Sequence, residues 1–174
     1  MDISKLSLSK LSFRQMAVLG ALTCAGLLGT GYFLQYFQGQ DPCPLCLLQR
    51  GFYYGVLVVL AIGAVHNPGR AGAAAYAGGA FLFALGGVGT AVRHVWLQSL
   101  PADQVPACGP DLFFMLENMP LGRTVQLLLR GSGQCAEVHW RFLGLSIAGW
   151  SLVWFTALAA FTLWLAIRAL RGKW

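Results

Sequence analysis

Residues 142–167, FLGLSIAGWSLVWFTALAAFTLWLAI, contain no Lys, Arg, Asp or Glu. A helix of about 20 apolar residues crosses a hydrocarbon layer roughly 30 Å thick, and this stretch is long enough to do so. Two further stretches, 15–40 and 71–92, are equally free of charge, and a fourth, Cys46 to Val65, is apolar apart from Gln49 and Arg50 near its start. The pattern predicts an all-α membrane protein: one domain over residues 1–174, built as a four-transmembrane-helix bundle. Its spans are expected at about 16–37, 45–65, 71–92 and 142–167, with a long loop at about 93–141.

Composition agrees. Of 174 residues, 57% are hydrophobic and 10% charged, against roughly 45–50% apolar and about 25% charged in a soluble domain. Intrinsic disorder is excluded by that hydrophobicity. The excess of Lys and Arg does not imply nucleic acid, because a phosphate-binding surface needs clustered cations and these are sparse. The first apolar run follows basic residues as a secretory leader would, and Ala21-Leu22-Thr23-Cys24 faintly resembles a lipoprotein cleavage site. The run continues to Phe37, however, longer than the roughly 7–15 residues of a leader core, so it is expected to remain as a span.

Charge placement predicts orientation. An even number of spans puts both termini on one face, together with Lys5, Lys10, Arg14, Arg70, Arg168, Arg171 and Lys173 against Asp2 alone. Arg50, Arg93, Arg123, Arg130 and Arg141 are balanced by Asp41, Asp103, Asp111, Glu117 and Glu137 toward the other face. The whole excess of +6 therefore sits on one side. Cytoplasmic flanks of spans are enriched in Lys and Arg, so both termini are expected in the cytoplasm.

The long loop carries Pro101, Pro106, Pro110 and Pro120. Between the last two, Leu112-Phe113-Phe114-Met115-Leu116 is too short to cross and is expected to form a short interfacial helix on the bilayer surface. Leu121 to Arg130 predicts a second short helix, followed by a Gly131-Ser132-Gly133 joint before Cys135. Small residues in the first and third spans, among them Gly26, Gly86 and Gly87, suit close helix packing in lipid.

Five cysteines carry the chemistry. Cys24 lies within the first span and reads as a small buried apolar residue. Cys43, Cys46, Cys108 and Cys135 all map to the exported side, where an oxidising compartment lets disulfides persist. Pro42 and Pro44, before and within Cys43-Pro44-Leu45-Cys46, prevent an earlier helix start, so both thiols fall at a helix N-terminus, whose dipole favours thiolate. Arg50 follows Cys46 by four residues, on the same face and one turn deeper. A cation in the bilayer costs about 2–3 kcal/mol at the centre and less near the edge, so something polar or anionic must offset it. Snorkelling to head groups is one outlet for such a side chain. Beside a dithiol, the pair of thiolate and guanidinium instead forms a site for an electron acceptor bearing carbonyl oxygens, and membranes supply quinones. His94 matches the depth of Arg50 and is a candidate donor or proton source there. Zinc is the rival use of paired cysteines, but Cys108 and Cys135 lack close spacing and face an oxidising space, so no metal is expected. A structural disulfide between Cys108 and Cys135 would itself stabilise the loop by about 2–4 kcal/mol.

These residues resemble the DsbB family of bacterial inner-membrane disulfide bond formation proteins. The resemblance is carried by Cys43-Pro-Leu-Cys46 with Arg50, by Arg93-His94-Val-Trp-Leu-Gln98, by Cys108, and by Cys135-Ala-Glu-Val-His-Trp140-Arg-Phe-Leu-Gly144. It implies a disulfide:quinone oxidoreductase in the bacterial inner membrane, with its active site facing the periplasm. Its partner would be a periplasmic DsbA-like thioredoxin-fold protein, and its cofactor a quinone, ubiquinone or menaquinone. By position, a cysteine of the reduced partner attacks Cys108, the released Cys135 attacks Cys43, and Cys46 is freed as a thiolate toward the quinone, which Arg50 and His94 help to bind. A DsbA-like protein is a strong oxidant at about −120 mV, so its reoxidation requires a sink of higher potential, which a membrane quinone provides. One alternative is a quinone reductase resembling vitamin K epoxide reductase, although those proteins usually place the loop cysteines before the helix bearing C-x-x-C. The other is a non-catalytic membrane scaffold with a structural loop disulfide.

Overall fold

The computed structural model describes residues 11–101, 103–105, 112–138 and 140–172. Four helices among them are long and apolar enough to cross a membrane: α1 (Phe13–Gln38), α2 (Pro44–His66), α3 (Arg70–Gln98) and α7 (Ile147–Leu170). Between α3 and α7 lie three short helices, α4 (Leu112–Asn118), α5 (Leu121–Arg130) and α6 (Gly133–Ala136), then a minimal hairpin of β1 (Arg141–Phe142) and β2 (Leu145–Ser146).

Local chemistry sets the helix ends. Ser12 and Gln15 form a reciprocal capping box at the start of α1, and Gly39, at φ 64°, closes its other end. Asn67 ends α2 in the left-handed region, and Gly69 begins α3 two residues later, so the two helices run antiparallel through a tight turn. α3 continues six residues past the end of its charge-free stretch, from Val92 to Gln98, because no helix breaker intervenes before Pro101. α7 begins later than its charge-free stretch, at Ile147. Residues 141–146 fold as the hairpin, with Leu143 and Gly144 at positive φ, and Ser146 then caps the helix through the Gly149 amide.

The helices pack in the order α1, α2, α3, α7, with α1 and α7 meeting only slightly. Their contacts rest on small residues. A Cβ at Gly86 would overlap Phe52, and one at Gly87 would overlap the Phe155 ring, so the α3 backbone approaches these rings directly. Phe155 in turn stacks on Tyr53 with ring centroids 4.0 Å apart. Thr90 and Thr162 bond back to carbonyls of their own helices, which pairs both of these buried hydroxyls.

The two ends of the bundle differ. At one, Arg168 donates to the Leu11 carbonyl and Arg70 lies against Gly172. At the other, the start of α2 and the end of α3 meet α5 and α6.

Candidate active site

Four sequence elements meet at that second end. Pro44 occupies the first helical position of α2, and Cys43, as its cap, accepts the Cys46 amide on sulfur at 3.4 Å. One helical turn then brings the two sulfurs within 3.3 Å, with the Cys43 thiol donating to Cys46. Cys43 is buried, while Cys46 is partly exposed. The chain thus places Cys46, not Cys43, on the more open side of the pair.

His94 reaches the pair from α3. Its Nε2 lies 3.7 Å from Cys43 Sγ and its Nδ1 3.2 Å from Gln49 Nε2. Gln49 follows Cys46 by three residues and so shares its helical face. In the sequence Gln49 is only a polar interruption of an apolar span, and its spacing from Cys46 is the one signal that ties it to the site.

Cys135 arrives from α6, fully buried against Cys43, Leu45 and Leu97. Its hydrogen bond to Cys43, and then burial, hold its thiol above the usual range. For Cys43, the bond with Cys135 pulls down, but the bond with Cys46 and burial together push it up to about 12. Gly131 makes this seat possible: it sits at φ 78°, and a Cβ there would overlap Leu97. Arg93 steadies the approach by donating to the carbonyls of Leu129 and Arg130 at the end of α5 while lying over the Trp96 ring. Of the expected site residues, Cys43, Cys46, Cys135 and His94 therefore converge. Cys108 lies outside the described residues.

Arg50 is tied laterally to α1. It donates to Gln35 Oε1 at 2.6 Å and to the Gly31 carbonyl at 3.1 Å, and its guanidinium lies 4.6 Å from the Tyr32 ring centroid. The required compensation is thus polar and aromatic. Cys24 lies in the apolar core, and His66 is engaged with the Tyr76 hydroxyl at 3.0 Å.

A cavity of about 570 Å³ opens beside the dithiol, lined by Cys43, Cys46, Arg50 and His94 and by Trp150 and Trp154 of α7. That volume falls within the range of small-molecule sites, roughly 300–1,000 Å³. The cavity surface is mainly apolar, with Gln49, Arg50 and His94 among its polar side chains. The donor atoms of Cys43, Cys46 and His94 also lie within 4.8 Å of one another, a set able to hold a soft metal ion. Forming a Cys43–Cys46 disulfide would remove two of those three donors.

Comparison with known proteins follows the same lines. The family model described as disulfide bond formation protein DsbB matches residues 13–165. A disulfide bond formation protein B of Nitrosococcus oceani is 50% identical over 89% of this chain and 92% of its own length. One from Chromobacterium violaceum is 46% identical over 91% and 96%, and one from Saccharophagus degradans 45% identical over 97% and 99%.

Proposed function

This chain belongs to the DsbB family, multi-pass membrane proteins of disulfide bond formation, and on that premise we propose that it reoxidises a periplasmic DsbA-like thioredoxin-fold protein at the expense of a membrane quinone. The observation that carries the proposal is the contact of Cys135 with Cys43, whose other neighbour, Cys46, lines the cavity with Arg50 and His94.

The sulfur chemistry balances as a relay. A thiolate of the reduced partner attacks Cys108 of a Cys108–Cys135 disulfide, forming a mixed disulfide and releasing Cys135. Cys135 then attacks Cys43 of the Cys43–Cys46 disulfide, so that a Cys43–Cys135 bond forms and Cys46 leaves as a thiolate. The partner's second thiol displaces Cys108 and departs oxidised; Cys108 attacks Cys135, which restores the loop disulfide and leaves Cys43 and Cys46 reduced. Each step is an exchange between a thiolate and an accessible disulfide. When bound in the cavity, a quinone would accept the two electrons and two protons released as Cys43 and Cys46 return to a disulfide. Arg50 and His94 would hold it, Arg50 as a fixed cation and His94 as part of the cavity wall beside the dithiol.

Quinone reduction in membranes, driven by a reduced thioredoxin-fold donor, tests the assignment. Cys46→Ser should abolish it, and an unchanged rate would overturn the role given to that thiol.

A further inference from the structure

Gln49 and His94 are 3% and 2% exposed, so each depends on the protein for its polar partners. Gln49 Nε2 stands 3.2 Å from His94 Nδ1. An amide nitrogen only donates, and in a neutral imidazole one nitrogen donates while the other accepts. With the amide nitrogen as the end that faces the ring, Nδ1 carries the lone pair and the ring proton lies on Nε2. That atom lies 3.7 Å from Cys43 Sγ. The Cys135 backbone also accepts from the ring, so the one ring N–H is shared between that backbone and the Cys43 sulfur.

We propose that Gln49 is a positioning residue of the dithiol centre: by donating to Nδ1 it fixes His94 as the Nε2–H tautomer, which presents a donor to the Cys43 sulfur. A donor at that place stabilises negative charge on Cys43 whenever a disulfide to it is cleaved, whereas a lone pair would oppose it. A carboxylate at position 49 would invert the arrangement, because it accepts from Nδ1–H and turns the Nε2 lone pair toward sulfur. An apolar side chain would leave both tautomers open. The tautomer follows from which end of the Gln49 amide faces the ring, while its effect on rate rests on the exchange chemistry proposed above.

Nitrogen NMR of the full-length protein in lipid nanodiscs, labelled at histidine with ¹⁵N, reads the proton directly; the His94 signals are those lost in His94→Asn. The expected spectrum shows a protonated Nε2 and an unprotonated Nδ1. Gln49→Glu should move the proton to Nδ1, and Gln49→Leu should give both tautomers with about a tenfold lower kcat for dithiol oxidation and little change in KM. A wild-type Nδ1–H signal would overturn the proposal, as would an unaltered His94 spectrum in Gln49→Glu. The wild-type spectrum decides even where a variant fails to fold. The two readings also fail separately: a protein that reduces no quinone yet shows the Nε2–H tautomer sinks the function and keeps the positioning role.

Discussion

Arg50 illustrates how a single side chain is read differently once its partners are known. In the sequence it is a cation one turn below Cys46, and snorkelling to the surface would relieve it. In the fold it is bound sideways to Gln35 and to the Gly31 carbonyl, leaving the guanidinium at the wall of the cavity. Sequence alone could not settle this, because both partners belong to α1 and lie fifteen and nineteen residues away. A hydrogen bond to a charged group contributes about 1.5–3 kcal/mol, and about 1.4 kcal/mol corresponds to a tenfold change in an equilibrium constant. Arg50→Met, which keeps the apolar stem, should therefore raise the KM for quinone by about tenfold or more at unchanged protein level. Steady-state kinetics in membranes over a range of quinone concentrations check it. An unchanged KM with a reduced protein level would make Arg50 a strut between α1 and α2.

Three of the four long helices were legible as charge-free runs, and the fourth as an apolar run interrupted by Gln49 and Arg50, because lipid imposes so strong a constraint on composition. Their ends were not, since a helix stops where a cap or breaker decides. Ser146 and the hairpin before it shift the start of α7, and α3 runs on until Ser99. That extension keeps His94 within regular helix, facing Cys43. The seat of Cys135 was likewise hidden, because it depends on Gly131, Leu97 and Leu45 meeting from three separate segments. Small residues in α3 were correctly suited to close packing, but only the structure distinguishes the positions. Gly87 faces the Phe155 ring, whereas nothing lies within 4 Å of a Cβ at Gly89. Gly87→Ala should destabilise the bundle by about 1–3 kcal/mol through overpacking, while Gly89→Ala should be close to neutral. Midpoints of detergent-induced unfolding, compared for the two variants, measure the difference; equal midpoints would mean that the α3–α7 contact yields at no cost.

Charge and chemistry divide the molecule into two ends. Arg70 and Arg168 lie with Leu11 and Gly172 at one, and Cys43, His94 and Cys135 at the other. The span count predicted this separation from sequence, because two turns and a long loop must alternate sides. The cation excess at the first end favours the cytoplasmic face for it. A thiol relay requires the cysteine end to face an oxidising compartment. The two requirements agree, since the cations gather opposite the sulfurs. Asn67, in the turn between α2 and α3, and Asp103, beyond the end of α3, therefore report opposite sides. With the native cysteines replaced by serine, Asp103→Cys should react with a membrane-impermeant maleimide in intact, outer-membrane-permeabilised cells. Asn67→Cys should react only after the inner membrane is opened. The reverse pattern would place the dithiol in a reducing cytosol, where the loop disulfide could not persist and electrons could not flow from an exported partner.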